Sequence, residues 1–202
     1  PGRHARALAE RGIEVVGVDI SRRFVELAAR DAPPGATFLR ADARALPFDA
    51  EFDAAISLCQ GAFGLAGGPG APLDADGEVL AGIARALRPG GRAAVSAFSA
   101  YFQVRWLEET DTFDAEAGVN HERTEVRDAS GAAVPADLWT TCFTPRELRL
   151  LAAAAGLVVD AVWSVTPGDY RRARPSIDTP EFLLVAHRPR AGERVSVAGH
   201  GP

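Results

Sequence analysis

Ile13-Glu14-Val15-Val16-Gly17-Val18-Asp19-Ile20-Ser21 is the stretch on which the fold turns. β-Branched residues dominate it and its apolar run is almost unbroken, the pattern of a short strand covered on both faces rather than a half-exposed one. The strand closes on an acid, and Ser21 then stands where an N-cap belongs, ahead of a helix over residues 22–30 whose Phe24, Leu27 and Ala28 make one stripe. In front of the strand, residues 2–11 read as a helix with Ala5, Leu8 and Ala9 on one face, closed by Gly12. Pro33-Pro34-Gly35 ends the second helix.

The same unit recurs downstream. Strands are expected over residues 36–40 and 52–58 and a helix over 78–87, followed by an Arg88-Pro89-Gly90-Gly91 turn into a strand over 92–98. Thr144 and Pro145 open a further helix through residue 155 as cap and first position, Gly156 closes it, and strands over 157–165 and 181–187 complete the series. Strand and helix alternating at this pace predict a doubly wound α/β domain with a mainly parallel sheet. Between Ser99 and Phe143 the pattern becomes mixed polar and aromatic, an inserted antiparallel lid in which residues 122–126 pair across Ala129-Ser130-Gly131 with 137–143. Residues 1–98 and 144–187 then form the core, 99–143 the lid and 188–202 a loose tail.

At 202 residues, 47% hydrophobic and 24% charged, the chain has the length and composition of one globular domain with an insertion. A net charge of -5 offers no basic excess for a run of phosphates, so a small molecule is expected as partner rather than nucleic acid or membrane. Cys59 and Cys142 lie far apart without metal-ligand spacing, which predicts two reduced, buried thiols, no metal site and a cytoplasmic setting. All basic side chains are arginine apart from the histidines, and the sequence has no methionine, so residue 1 is expected to lie downstream of a lost segment.

Ligands of an open parallel sheet bind outside the carboxyl ends of its strands, which makes the acids there candidates. Asp19 ends one strand and Asp42 follows another. A carboxylate at the first position can accept both hydrogen bonds of a ribose diol, so Asp19 points to a nucleoside without naming it.

Pro1-Gly2-Arg3-His4-Ala5, Val16-Gly17-Val18-Asp19-Ile20-Ser21, Arg40-Ala41-Asp42-Ala43-Arg44-Ala45-Leu46-Pro47-Phe48, Phe52-Asp53-Ala54-Ala55-Ile56-Ser57 and Leu87-Arg88-Pro89-Gly90-Gly91 occur in the order and spacing of a class I S-adenosylmethionine-dependent methyltransferase, which the chain resembles to about residue 187. The resemblance implies a Rossmann-like sheet with its last strand antiparallel. Pro1-Gly2 resembles the end of the family's Gly-rich cofactor loop, so the first, central strand is expected to be missing, leaving a chain that aggregates and binds cofactor weakly. Carried over by position, the resemblance puts S-adenosylmethionine against Gly2, Asp19, Ile20, Asp42, Ala43, Ser57 and Leu58, with Asp19 on the ribose hydroxyls and Asp42 with Ala43 at the adenine edge.

Methyl transfer from a sulfonium asks mainly for positioning and exclusion of water. After the strand over 52–58, enzymes that methylate DNA amino groups show Asn/Asp-Pro-Pro-aromatic, whereas this chain has Cys59-Gln60-Gly61-Ala62-Phe63-Gly64, which favours a small-molecule acceptor. Gln60 and Phe63 are candidates for its wall, and Trp106 and Trp139, with Tyr101 and Phe102, supply lid aromatics. His121 is the candidate base by its chemistry, and Tyr101 the second catalytic candidate. His4 is expected to be structural, and Arg171-Arg172-Ala173-Arg174 to be a solvated face that can also meet an anionic acceptor. An amine nitrogen is preferred over oxygen or carbon because no convincing base stands out. A nicotinamide-dependent oxidoreductase, which would also use Asp19, and a catalytically silent binding domain remain the alternatives.

Overall fold

The computed structural model describes residues 1–59, 61–65, 68–127 and 131–195. Gln60, the turn residues Ala129 and Ser130, and the segment from residue 196 onward lie outside them. The chain divides into two compact units, Pro1–Pro47 and Phe48–Pro202.

The first unit runs α1 (Arg3–Ala9), β1 (Val15–Asp19), α2 (Arg22–Arg30), β2 (Ala36–Arg40) and a single 3-10 turn, Ala43–Ala45. β1 and β2 pair in parallel, from Val15 opposite Ala36 to Asp19 opposite Arg40. Ser21 caps α2 as expected, its Oγ accepting the Phe24 N–H at 3.3 Å. The other end of α2 is satisfied from α1: the Arg6 guanidinium donates to the Leu27 and Ala28 carbonyls at 3.2 and 2.9 Å, placing a cation where the helix dipole is negative. Ala5, Ala9, Ala28 and Ala36 are the buried contacts of this layer.

In the second unit the order is β3 (Phe52–Ser57), α3 (Ala75–Ala86), β4 (Leu87–Ser99), α4 (Ala100–Arg105), β5 (Asp111–Asp114), β6 (Val119–Arg127), β7 (Ala133–Phe143), α5 (Pro145–Ala154), β8 (Val158–Thr166), β9 (Asp169–Ala173) and β10 (Glu181–His187). The sheet order is β5-β6-β7-β4-β10-β8-β9, with β3 also on β4. β3 and β7 run parallel to β4, while β10 is antiparallel to both β4 and β8. The inner surface of β10 is close-packed, with Phe182, Leu184 and Ala186 no more than 1% exposed. α3 and α5 pack against each other, and α5 also lies on β8 and β10. Thr144 and Glu147 complete a reciprocal capping box at the start of α5.

Several expected boundaries move. The Arg88-Pro89-Gly90-Gly91 turn survives as a wide bulge inside β4: Phe52 faces Leu87 but Ala54 already faces Arg92, and Gly90 takes φ +82°. α3 begins a turn earlier than its apolar stripe suggested, because Asp76 and Glu78 suit a helix N-terminus. In the inserted segment the hairpin register sets Glu122 opposite Leu138 and Val126 opposite Val134, so residues 122–126 pair with 134–138 rather than 137–143. The Arg-rich run lies largely in an edge strand, since Arg171–Ala173 belong to β9 and Arg171 is paired with Asp169. Residues 188–193, expected to be loose, are tied down: Arg188 exchanges backbone bonds with Gly90 and Gly91 and donates its side chain to the Arg85 and Leu87 carbonyls, and His187 bridges Asp160 and Glu193 at 2.9 Å each.

Candidate functional site

In the first unit, the carboxyl ends of β1 and β2 bring Asp19, Ile20, Asp42 and Ala43 to one edge of the two-stranded sheet. Asp19 Oδ1 accepts the Ser21 N–H at 2.8 Å, which fixes the carboxylate, and Oδ2 has no hydrogen-bond partner among the described residues. Beside it Ile20 is 62% exposed, an apolar surface of the kind that takes the face of a purine. Asp42 is placed differently from the expectation. Its two oxygens are closed by Arg44, whose Nε lies 3.1 Å from both and whose Nη2 lies 2.6 Å from Oδ2, and these bonds hold its carboxyl below the ordinary range. The carboxylate is therefore an internal ion pair rather than an open acceptor, and Ala43 begins the 3-10 turn that it caps. Gly2 has φ +70°, and a Cβ there would meet the Phe38 ring at 2.8 Å and Ala28 at 2.9 Å, so packing alone already demands glycine. His4, on α1, is exposed.

In the second unit, β3 delivers Ser57 to its carboxyl end, buried, with an Oγ that has no hydrogen-bond partner among the described residues. A buried hydroxyl without a partner is costly and marks a place where a polar ligand atom or water belongs. Leu58 follows half-buried. Cys59 then adopts φ +52°, unusual for a residue with a side chain, held by its N–H to Ser96 Oγ at 2.8 Å. Its thiol is half-exposed rather than buried and lies 3.6 Å from the Tyr170 hydroxyl. Cys142 is buried as expected, and burial pushes its thiol up to about 12. Phe63, expected as a wall of the site, is instead core: it is fully buried and stacks on Phe143 at 4.6 Å, leaving no ring surface for a ligand.

The inserted strands assemble the remaining candidates on one face. Thr112, His121 and Trp139 stand side by side across β5, β6 and β7. The His121 ring lies parallel to the Trp139 indole, 4.6 Å between centroids and 5° between planes, and its Nε2 is 2.7 Å from Asp137 Oδ1. Nδ1 has no partner among the described residues. When the Nε2–H donates to this carboxylate, Nδ1 keeps its lone pair, the arrangement of an oriented proton acceptor. His121 lines a cavity of 380 Å³ with Glu109, Thr110, Thr112 and Arg123. Gly68, from the loop after β3, closes on the same face, its Cβ position 3.8 Å from the Trp139 ring.

Tyr101 and Trp106 are not brought to this group. Tyr101 lines a separate cavity of 470 Å³ with Ala100, Val104, Arg105, Phe113 and Ile177. Trp106 is 57% exposed, with the Arg105 guanidinium 5.7 Å from its ring centroid. Sequence reading missed Asp137 and Tyr170, since the first needs the β6–β7 register and the second a strand hidden in an arginine run. Among the described residues no three His, Cys, Asp or Glu side chains converge as metal ligands, and no helix is long and apolar enough to cross a membrane.

Residues 1–91 match the family described as a methyltransferase domain. Comparison with curated proteins returns no match. Among solved structures the chain is similar to the CcbJ methyltransferase of Streptomyces caelestis, at 20% identity and TM-score 0.74, over 93% of this chain and 80% of that one. It is also similar to the S-adenosylmethionine-bound amino pentose methyltransferase of Micromonospora echinaspora involved in calicheamicin biosynthesis (22%, TM-score 0.62, 93% and 79%). A third is the 1,6-didemethyltoxoflavin-N1-methyltransferase of Burkholderia thailandensis, with S-adenosylhomocysteine bound (22%, TM-score 0.56, 93% and 67%). The chain thus has the class I S-adenosylmethionine-dependent methyltransferase fold, and its residues 1–91 match the methyltransferase domain family.

Proposed function

We propose that this chain transfers a methyl group from S-adenosylmethionine to the amine nitrogen of a small molecule. The observation that carries the acceptor side is the His121–Asp137 pair, with the His121 ring stacked on Trp139 and lining a cavity beside it. On the cofactor side, in the first unit the partnerless Asp19 Oδ2 suits a ribose hydroxyl and exposed Ile20 suits the adenine face; in the second unit, taken by itself, the partnerless Ser57 Oγ suits a polar ligand atom. Gly2 and Ala43 join the first unit's set by position, and Asp42 joins it as the ion-paired cap of the turn that begins at Ala43; Leu58 follows Ser57 in the second unit.

When bound, the cofactor supplies an electrophilic methyl on a sulfonium, so the chain's own residues have to orient the acceptor, shed its proton and keep water out. A free amine is mostly protonated near neutrality. His121 Nδ1 takes that proton, Asp137 holds the ring in the required tautomer and steadies the imidazolium, and the Trp139 face fixes the plane of the ring. A base of this kind contributes about 10²–10⁴-fold. The sequence alone showed no such pair, so the preference for nitrogen now has a different support: two structurally similar enzymes are named for an N1 position and an amino sugar. The lid reading of residues 99–143 and the small-molecule partner belong to the same proposal.

The test has two arms. Calorimetric titration of S-adenosylhomocysteine should show binding to the wild type and a loss of about tenfold or more in Asp19→Ala, with NADH as the control. Labelled-methyl transfer to a panel of amines, phenols and carboxylates should then proceed with amines and fall by about 10²–10⁴-fold in His121→Ala. Binding of NADH but not S-adenosylhomocysteine by the folded chain would return the oxidoreductase reading. Cofactor binding with no turnover on any acceptor would return the silent domain.

A further inference from the structure

One carboxylate sits where three elements of the second unit meet. Asp76, in the first turn of α3, is 5% exposed. Its Oδ1 accepts the Gly64 N–H at 2.6 Å, and its carboxylate also accepts the Thr141 hydroxyl of β7. The Thr141 N–H in turn donates to the Gly64 carbonyl at 2.8 Å. Gly64 is therefore held through both of its backbone groups, the N–H by α3 and the C=O by β7. It takes φ +82°, and a Cβ there would lie 3.2 Å from the Thr141 carbonyl oxygen, so no other residue fits this junction without movement. The preceding Phe63 wedges against Phe143 near the end of β7. Thr141 and Trp139 are two positions apart on one strand and share a face, the face that carries His121.

A carboxylate is suited to this point because an ionised one only accepts, so it can serve a donor of the loop after β3 and a donor of β7 at once. Aspartate near a helix N-terminus is further favoured by the dipole of α3. We propose that Asp76 is a positioning residue that latches the β5–β7 lid to the loop following β3, so that the wall carrying Trp139 and His121 is held at a distance set by α3. The latch stands on the geometry alone, whereas its bearing on acceptor binding rests on the methyl-transfer reading above.

Native-state hydrogen exchange read by mass spectrometry tests the latch with neither cofactor nor acceptor present, so its outcome is independent of whether that reading holds. In Asp76→Ala the amides of residues 61–65 and 138–143 should exchange about tenfold faster or more, since the Gly64 N–H loses a buried acceptor. Amides of β8 and β10 should keep their protection. Asp76→Asn, whose amide oxygen still accepts the Gly64 N–H, should restore most of the loss. Thr141→Val, which removes only the hydroxyl donor, should loosen the same segments to a smaller degree and serves in place of Asp76→Ala if that variant does not fold. Unchanged exchange at residues 61–65 and 138–143, or acceleration spread evenly over β8 and β10 as well, would overturn the proposal.

Discussion

Asp42 and Asp76 are the same side chain driven in opposite directions by their surroundings. Hydrogen bonds from Arg44 hold Asp42 below the ordinary carboxylate range, while burial raises Asp76 despite the Gly64 and Thr141 donors. Because folded Asp76 keeps its proton to higher pH than the unfolded chain does, the stability contributed by its protonated form is complete below the ordinary range and is lost as pH rises through the raised value. Asp76→Asn lacks that proton, so wild-type stability should decline relative to the variant across this window. Urea unfolding of both proteins from about pH 3 to about pH 8 measures the difference, in which the remaining carboxylates cancel; a difference flat with pH would contradict it. At this scale the sequence was informative where chemistry is local. Asp19 at a strand end and Ser21 as a cap follow from neighbours in the chain, but the closure of Asp42 by Arg44 depends on a rotamer, and the pairing of His121 with Asp137 depends on a register sixteen residues long in sequence.

Among the elements, α2, β2 and β10 fall on their expected residues, because a cap, a β-branched run or a Pro-Gly break marks each end. α4, β5 and β9 were not legible. α4 spans six residues with no repeating apolar stripe, β5 only four, and β9 is an edge strand whose charges look like a loop but also guard an open edge against pairing. The start of α5 is the counter-case, since Thr144 and Pro145 mark its cap and first position in sequence, and Glu147 completes a capping box there in the structure. Thr144→Ala should therefore cost about 1 kcal/mol, or a fall in Tm of about 2–4 °C for a chain of this size. Calorimetry of the variant measures it, and an unchanged Tm would show that α5 is fixed by its packing on β8 and β10 rather than by its cap.

At the largest scale, the alternation of strand and helix predicted a mixed α/β fold with the parallel pairs β1–β2 and β3–β4, and the antiparallel placement of the last strand agrees with the resemblance. Ligand linkage makes the cofactor proposal visible in bulk: S-adenosylhomocysteine at about a hundred times its Kd should stabilise the native state by about 2.7 kcal/mol, raising Tm by about 5–10 °C. Differential scanning fluorimetry reads that shift, and Asp19→Ala should need a higher concentration to reach it. The long strand β4 has one more effect. It carries β3 along residues 87–95 and then β7 at Phe98 and Ser99, on the edge opposite β10. The strand that ends at Ser57 and the strand that brings in Trp139 are thus graduated on a single ruler. Sliding either along it by one residue would turn its side chains to the other face, so evolution can retune the span between them only by changing what lies off the ruler, the residues of the connecting loops.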